Sequence, residues 1–582
     1  MFLNRWQRRL LPFVCSALLC LMLAIACGPS PPASQRPTAS PAADASASVL
    51  KLLYWQAPTI LNPHLSNGFK DSEASRITLE PLASYDAGGN LIPILAADVP
   101  TLENGGVVAD GRSVTWKLKP GLKWSDGEPF SAADVVFTHQ FVTNPEVAAI
   151  SAATYEIIES VEALDETTVK ITFKEPNPAW SNVFVGTEGM VLPRHSFAEY
   201  LGAQSREAPA NLMPVGTGPY RVVEFKPGDV VIYEPNPNYR GADSLGFSRV
   251  ELKGGGDAVS AARAVLQTGD VDFAYNLQVE APILEQLAGA GRGEVVANFG
   301  SLMERILINF SDPSADVDGE RSHVSRPHPF LTDPAVRRAL SLAIDRGAIA
   351  TQLYGRTGKP TANFLVAPES FSSPNTSYQF DPTAAQQALE DAGWRDTNGD
   401  GIRDKNGVPL QLVFQTSVNP LRQKTQEILK QAWESIGFRV ELKSIDASIF
   451  FDSSPTNPDN TGHFYADLQM YTTGNTNPDP GSYMKTYLCS EIAQKANNWS
   501  KDNVSRYCNS AYDALWQQVA SELDPEARRQ IFIQMNDLLV TDIAVIPLVH
   551  RAETAGVGDR LAGVNLTPWD LNTWNIAEWR RK

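Results

Sequence analysis

The chain has 582 residues and a formal net charge of −17 at pH 7, and 20% of its residues are charged. A chain of this length exceeds what a single hydrophobic core supports, so we expect several domains. The acidic balance argues against a nucleic-acid partner, which would need clustered Lys and Arg, and an acidic surface suits a soluble extracytoplasmic protein.

The first 27 residues have the layout of a secretory signal. A basic segment with Arg5, Arg8 and Arg9 precedes the apolar run Leu10 to Ala26, which ends at Cys27. The sequence Ala-Ile-Ala-Cys resembles a bacterial lipobox, so we expect Cys27 to be lipidated and to become the new N-terminus. The alternative is an uncleaved membrane anchor, whose apolar run is near the lower limit for spanning. Both interpretations place the protein outside the cytoplasm, lipid-anchored to the bacterial cell membrane or in the periplasm.

Residues 28–48 are rich in Pro, Ala and Ser and lack the apolar residues of a core, so we predict a flexible tether. The folded part is expected to begin near Val49, where Leu50, Leu52 and Tyr54 predict a strand. A loop that contains Leu61-Asn62-Pro63 follows this strand.

Residues 114–144 combine three local signals. The alternation of apolar and polar residues from Val114 to Leu118 predicts a half-buried strand. Pro120-Gly121 then fits the central positions of a type II turn. Ser131, with Asp134 three residues later, indicates the capped start of a helix.

The amino-acid sequence of the same stretch resembles the signature of the extracellular solute-binding proteins of family 5, the oligopeptide, dipeptide and nickel group that serves ABC importers. Residues Pro214 to Tyr220 and Tyr233 to Tyr239 resemble two further motifs of this family. The signature identifies the family and not the ligand, and we interpret its residues as structural. The matching residues are Trp116, Leu118, Gly121, Trp124, Asp126, Gly127, Pro129, Phe130, Ala132, Asp134 and Val135.

The resemblance implies an α/β, two-lobed periplasmic-binding-protein fold of type II, in the large peptide-binder subclass with an extra subdomain in the first lobe. In chain order, the alternation of strand and helix patterns from Pro409 to Leu442 favours a βαβ arrangement in the second lobe. The expected limits are 1–27 for the signal, 28–48 for the tether, 49–300 for the first lobe with its subdomain at about 86–211, 301–544 for the second lobe and 545–582 for the return to the first lobe.

Residues 396–407 have the spacing of a calcium-binding loop. Asp396, Asn398, Asp400 and Asp404 occupy its ligand positions 1, 3, 5 and 9. Position 12 is a glycine instead of the bidentate Glu. A structural calcium site and a hairpin turn without metal are both open at this point, and we expect no other cofactor.

Cys489 and Cys508 are the two cysteines that remain after the signal is removed and Cys27 is lipidated. In an oxidising compartment, two cysteines in one short region favour a disulfide. The alternative is a pair of free thiols.

Residues 467–484 (DLQMYTTGNTNPDPGSYM) resemble the cleft segment of the family. In the peptide binders an Asp of this segment anchors the α-ammonium of the ligand, and a buried ammonium needs such a carboxylate. Depending on the alignment, the matching residue here is Thr476 or Asn475, and neither is charged. Asp479 is an alternative anchor, although this position more often looks structural. A polar loop whose Pro and Gly residues fix a bend is the alternative to a ligand site.

The predicted ligand-binding residues combine this segment with two other places in the chain. Asn62 lies in the N-terminal loop that borders the cleft in the family, and Arg305 matches the geometry of a ligand carboxylate. The full set is Tyr471, Thr473, Asn475, Thr476, Asp479, Tyr483, Asn62 and Arg305.

Motifs of catalysis are absent from the sequence, which has no HExxH, no GxSxG and no P-loop. We therefore predict a monomeric, non-enzymatic receptor of an ABC importer. It would capture peptides, or a related small solute, in an interlobe cleft and deliver them to the permease subunits. The alternatives are a binding protein for a non-peptide solute such as an oligosaccharide or metal chelate, a secreted hydrolase, and a surface adhesion or chaperone-like module.

Overall fold

Two mixed β-sheets organise residues 49–582, which are the residues that the computed structural model describes. The predictions on the signal, on lipidated Cys27 and on the tether lie outside the described residues. In this part of the chain, no helix is long and apolar enough to cross a membrane.

The strands in chain order are β1 (Val49–Tyr54), β2 (Ala83–Tyr85), β3 (Leu91–Pro93), β4 (Ser113–Lys117), β5 (Ile158–Ala163), β6 (Thr168–Phe173), β7 (Tyr220–Lys226), β8 (Val230–Pro235), β9 (Arg249–Gly254), β10 (Phe273–Ala274), β11 (Gly293–Asn298), β12 (Met303–Ile308), β13 (Gly358–Pro360), β14 (Asp404–Lys405), β15 (Val408–Pro409), β16 (Gln411–Ser417), β17 (Arg439–Ile445), β18 (Leu468–Thr473), β19 (Val545–Arg551), β20 (Glu553–Gly558), β21 (Leu561–Ala562) and β22 (Arg580–Arg581).

The α-helices are α1 (Phe69–Arg76), α2 (Ala132–Thr143), α3 (Ala152–Tyr155), α4 (Arg194–Phe197), α5 (Ala258–Arg263), α6 (Ala281–Ala288), α7 (Pro334–Leu342), α8 (Arg346–Ile349), α9 (Pro382–Asp391), α10 (Pro420–Glu434), α11 (Ala447–Phe450), α12 (Gly481–Lys485), α13 (Ser510–Val519) and α14 (Pro525–Thr541).

Each of the two lobes is built on one large sheet. The first has seven strands in the order β11-β20-β10-β1-β9-β8-β7, and the second has six in the order β13-β19-β12-β18-β16-β17. A three-stranded antiparallel sheet, β4-β6-β5, lies within the predicted subdomain of the first lobe. In the second lobe β16 and β17 are parallel and are joined by α10, which is the predicted βαβ unit.

The chain passes between the two large sheets twice. It leaves the first sheet after β11 and enters the second at β12, through residues 299–302. It returns at Ala552, between β19 and β20. The predicted return at residue 545 is therefore too early. Residues 545–551 form β19, which pairs with β12 and β13 and so belongs to the second sheet.

The family signature forms the predicted strand, turn and capped helix. Ser131 Oγ accepts a hydrogen bond from Ala133 N at 3.3 Å, and Asp134 Oδ2 accepts one from Ser131 N at 2.9 Å. Trp116 and Trp124 are fully buried in the core of this part of the molecule. The signature residues thus build the subdomain, as their structural interpretation requires.

In the acidic hairpin at residues 396–409, side-chain oxygens accept hydrogen bonds from backbone N–H groups of the same hairpin. Asp396 accepts hydrogen bonds from Gly399 N at 2.7 Å and from Gly401 N at 3.0 Å, and Asp400 accepts one from Ile402 N at 2.9 Å. Asn398 Oδ1 accepts from Asp400 N, and Asp404 Oδ2 accepts from Thr397. Among residues 49–582, no group of three or more His, Cys, Asp or Glu side chains is arranged to hold a metal ion. The geometry is that of a self-capped turn, and calcium binding stays a prediction without support from it.

Cys489 and Cys508 are joined by a disulfide. The bond closes residues 489–508 into a loop that begins just after α12 and ends just before α13. This loop therefore has a fixed path along the second lobe.

Candidate functional site

A cavity of about 220 Å³ lies between the two lobes. One wall comes from the first lobe, with Asn67, Phe69 and Tyr275. The second lobe contributes residues of β12, β18 and the 489–508 loop, and Leu302, Arg551 and Glu553 line the cavity at or beside the two crossovers. Both lobes and residues at both crossovers therefore contribute to one partly open cavity, which is an arrangement that suits ligand binding by closure.

Arg305 is the most unusual residue of this cavity. It lies on β12 opposite Tyr471 of β18, and it is only 2% exposed. Its guanidinium carbon is 4.9 Å from the ring centre of Tyr471 and 6.0 Å from that of Tyr483. Nε and Nη1 have no hydrogen-bond partner in the described part of the chain, and none of the ion pairs found there includes Arg305. A buried guanidinium with free donors is prepared to bind a carboxylate of a ligand.

Most of the other cations on the cavity wall already have a carboxylate partner. Arg422 Nε is 2.8 Å from Glu304 Oε1, which is itself buried, and Lys70 Nζ is 2.6 Å from Asp71. Arg551 Nη2 donates a hydrogen bond to the neutral Asn276 Oδ1 at 3.0 Å, but its Nε has no hydrogen-bond partner among the described residues. The attraction of this cavity for a ligand anion therefore rests on Arg305, with a contribution from Arg551.

Two carboxyl groups also line the cavity. Burial raises the pKa of Glu553 to about 7, and Asn572 Nδ2 donates a hydrogen bond to Glu553 Oε1 at 2.7 Å. Burial, with the nearby carboxylates of Glu491 and Glu188, raises the pKa of Asp502 to about 7. Both groups are partly ionised at neutral pH, so a ligand cation would favour their charged form.

Four of the predicted ligand-binding residues line this cavity: Tyr471, Thr473, Tyr483 and Arg305. Strand β18 provides the first two, and its pairing with β12 places Arg305 beside them. Residues 467–484 thus reach the cleft as expected from the family resemblance.

Asn475 and Thr476 line a second, smaller cavity of about 40 Å³. This cavity shares Phe69, Leu302 and Glu553 with the larger one, so the two adjoin. Thr476 Oγ1 donates to Glu188 Oε1 at 3.2 Å, and Asn475 Nδ2 donates to Asn477 O at 2.9 Å.

Asp479 and Asn62 line neither cavity, and their polar groups are used within the fold. Asp479 pairs with Arg528 through contacts of 2.9 and 3.0 Å and also accepts a hydrogen bond from Gly481 N. Asn62 is fully buried, donates to Asn211 Oδ1 at 2.9 Å and accepts from His64 N at 3.1 Å. Ligand binding by Asp479 and Asn62 therefore has no support from this geometry and stays a prediction.

Asp502, Glu553 and Arg551 were not among the predicted site residues. Arg551 and Glu553 flank the second crossover, and the strand pattern near Ile546 gives no sign that the chain changes lobes there. Asp502 lies inside the disulfide-closed loop, in a stretch without a recognisable motif. Its one sequence signal is that the loop is held by Cys489 and Cys508.

Comparison with known proteins places the chain among solute-binding proteins. The sequence profile of the bacterial extracellular solute-binding proteins, family 5 (middle region), matches residues 90–495. Oligopeptide-binding protein AppA of Bacillus subtilis (strain 168) is 25% identical over 532 residues, which are 90% of this chain and 89% of that protein.

Solved structures agree in fold. The oligopeptide-binding protein from Thermus thermophilus, complexed with a pentapeptide, has a TM-score of 0.79 at 21% identity, covering 92% of this chain and 96% of that one. NikZ from Campylobacter jejuni, in complex with Ni(L-His), has a TM-score of 0.76 at 23% identity, covering 92% of this chain and 100% of that one. The two-lobed fold and the family resemblance are thereby confirmed. This chain belongs to the bacterial extracellular solute-binding proteins of family 5.

Proposed function

We propose that this protein is the substrate-binding receptor of an ABC importer and that it captures peptides, or a closely related small solute, between its lobes. The observation that carries the proposal is the buried guanidinium of Arg305, with its free Nε and Nη1, inside a cavity shared by both lobes. A peptide supplies the carboxylate that this group lacks. Relatives named as oligopeptide-binding proteins support the same substrate class.

Binding would be coupled to closure of the lobes. The connections between the two large sheets through residues 299–302 and Ala552 are short, so a rotation at these points would open and close the cavity. A ligand that contacts both walls favours the closed form, because only that form provides all of its contacts. The closed form would dock on the permease, and no covalent bond of the ligand would be broken.

The predicted mature form completes the proposal. Lipidation at Cys27 would hold a monomeric receptor at the outer face of a membrane, and the 28–48 tether would separate the lobes from it. Labelling of the expressed protein with a fatty-acid analogue tests the anchor, and Cys27→Ser is the matched control.

Native mass spectrometry of the protein purified without denaturation tests the substrate class. We expect added masses that resolve into short peptides, and we expect them to be lost in Arg305→Met. A single non-peptide mass would instead assign the site to an oligosaccharide or a metal chelate. Incubation with the same peptides should leave their masses unchanged, whereas cleavage products would identify a hydrolase.

A further inference from the structure

Asp502 is an acidic residue of the cavity wall whose carboxylate has no hydrogen-bond or ion-pair partner in the described part of the chain. Its backbone carbonyl accepts a hydrogen bond from Val504 N at 2.9 Å. Within residues 49–582, its side-chain oxygens accept no hydrogen bond and take part in no ion pair, although the side chain is partly buried. Carboxylates in such positions normally have a cation or several donors beside them.

The neighbouring lysines do not pair with Asp502, because each of them already pairs with the same two glutamates. Lys485 Nζ lies 3.1 Å from Glu156 Oε2 and 3.1 Å from Glu491 Oε1. Lys501 Nζ pairs with Glu156 and lies 3.4 Å from Glu491 Oε2. Two cations thus balance two anions, and Asp502 is a surplus negative charge beside this closed set.

A further carboxylate increases the local deficit of positive charge. Glu188 is partly buried near Asp502 and accepts hydrogen bonds only from neutral hydroxyl groups among the described residues, Thr154 Oγ1 at 2.6 Å and Thr476 Oγ1 at 3.2 Å. Asp502 and Glu188 are thus neighbouring carboxylates that lack a lysine or arginine of their own among the described residues, and Asp502 is the one that lines the cavity.

Asp502 and Arg305 act on the same part of the cavity. The ring of Tyr471 lies under Arg305, and its phenol lies in the electrostatic field of both groups: burial raises the pKa of Tyr471, Arg305 lowers it, and Asp502 raises it further. The cavity wall thus carries both an anion and a cation without an ion-pair partner among the described residues, and both act on the same tyrosine. The cavity volume of about 220 Å³ is also below the roughly 300–1,000 Å³ of pockets for drug-sized ligands.

We propose that Asp502 binds the ammonium group and Arg305 the carboxylate group of one ligand, so that the cavity selects short zwitterions such as dipeptides and tripeptides. Long peptides would fit poorly, since a cavity of about 220 Å³ leaves little room beyond a short ligand. This inference rests on the proposed function and specifies the length and end groups of the substrate.

The test compares one mixture of synthetic tripeptides in four forms: with both ends free, N-acetylated, C-amidated, and blocked at both ends. Calorimetric titration of the full-length lipoprotein in mild detergent at pH 8 gives the apparent Kd of each form. We expect each block to weaken binding to the wild type by at least about 30-fold, because it leaves a buried charge unpaired. Because the peptides blocked at either end are tested on the wild-type protein, the result does not depend on whether a variant folds.

The variant Asp502→Asn then assigns the amino end. It should bind free and N-acetylated tripeptides with nearly equal Kd while it still discriminates against C-amidated ones. Glu553→Gln is the matched comparison, because Glu553 is the second acid of the cavity and has a similarly raised pKa. Loss of amino-end discrimination in Glu553→Gln, but not in Asp502→Asn, would overturn the assignment.

A nonapeptide mixture separates this inference from the proposed function. Tighter binding of nonapeptides than of tripeptides, or equal binding of free and N-acetylated tripeptides by the wild type, would overturn the inference and leave a peptide receptor. Failure to bind any of these peptides, with binding of an oligosaccharide mixture instead, would overturn the proposed function as well.

Discussion

Replacing Arg305 by Met should stabilise the ligand-free protein while it abolishes ligand binding. In the ligand-free state the guanidinium is 2% exposed, and its Nε and Nη1 have no partner among the described residues. Two unsatisfied buried donors cost about 2–6 kcal/mol together, at about 1–3 kcal/mol each. Met has a similar length and no polar hydrogen to satisfy, so it removes this cost and fills most of the space.

Two favourable contributions of Arg305 would be lost. Its position over the rings of Tyr471, Tyr483 and Phe364, at 4.9, 6.0 and 5.7 Å, is worth about 1–2 kcal/mol. The change in packing costs about 1 kcal/mol. Taking the middle of these ranges, the balance favours the variant by about 1.5 kcal/mol in the free energy of unfolding.

Urea unfolding of both proteins after removal of bound ligand measures this difference as a higher midpoint at an unchanged slope. Added tripeptide mixture should raise the midpoint of the wild type and leave that of the variant unchanged. Arg422→Met is the matched control, with the same substitution in the same cavity. It removes the partner of buried Glu304, so it should destabilise the protein by about 3–5 kcal/mol. A similar loss in Arg305→Met would refute the claim that Arg305 waits for a ligand anion.

Three further predictions concern stability. Replacing Cys489 and Cys508 together by Ser opens a loop with a sequence separation of 19 and should cost about 3 kcal/mol in denaturant unfolding. Burial lowers the pKa of His64 from 6.5 to about 4, so as pH falls from 6.5 to 4 the unfolded chain takes up a proton that the folded protein does not. The free energy of unfolding should therefore fall by up to about 3 kcal/mol in this pH window. Thermal unfolding of His64→Gln should lack this contribution. Gly216→Ala should cost at least about 3 kcal/mol in urea unfolding, because its Cβ would lie 1.9 Å from Thr78 O.

Each of these predictions has its own comparison. Reduction of the wild type should reproduce the loss seen in the double Ser variant, and equal stability of the oxidised and reduced proteins would contradict it. A pH profile of His64→Gln that parallels the wild type would show that His64 does not titrate differently on folding. Gly121→Ala should cost only about 1 kcal/mol, since Gly121 has φ +71° but open space around it, so an equal cost at both glycines would argue against the clash at Gly216.

Local rules in the sequence predict much of the fold. The strand, turn and capped helix of residues 114–144 follow from alternation, Pro-Gly and a Ser-Asp cap, each of which acts over a few residues. At the starts of α7 and α9 the structure shows the same kind of local capping, by Asp333 before Pro334 and by Asp381 before Pro382. The limits of the second lobe do not follow, because whether β19 joins one sheet or the other depends on pairing with distant β12.

The sequence by itself determined the family, the two-lobed class and the segment that reaches the cleft. Only the tertiary structure decided which charges are free to bind a ligand. Asp479 and Asp502 are both acids close to that segment, yet Arg528 neutralises the first and no cation pairs with the second among residues 49–582. Likewise, Glu304 pairs with Arg422, whereas no carboxylate pairs with Arg305 among the described residues. Whether a charged side chain is free to bind a ligand depends on residues that are distant in the sequence and become neighbours only in the folded protein. These neighbours cannot be identified from the local sequence.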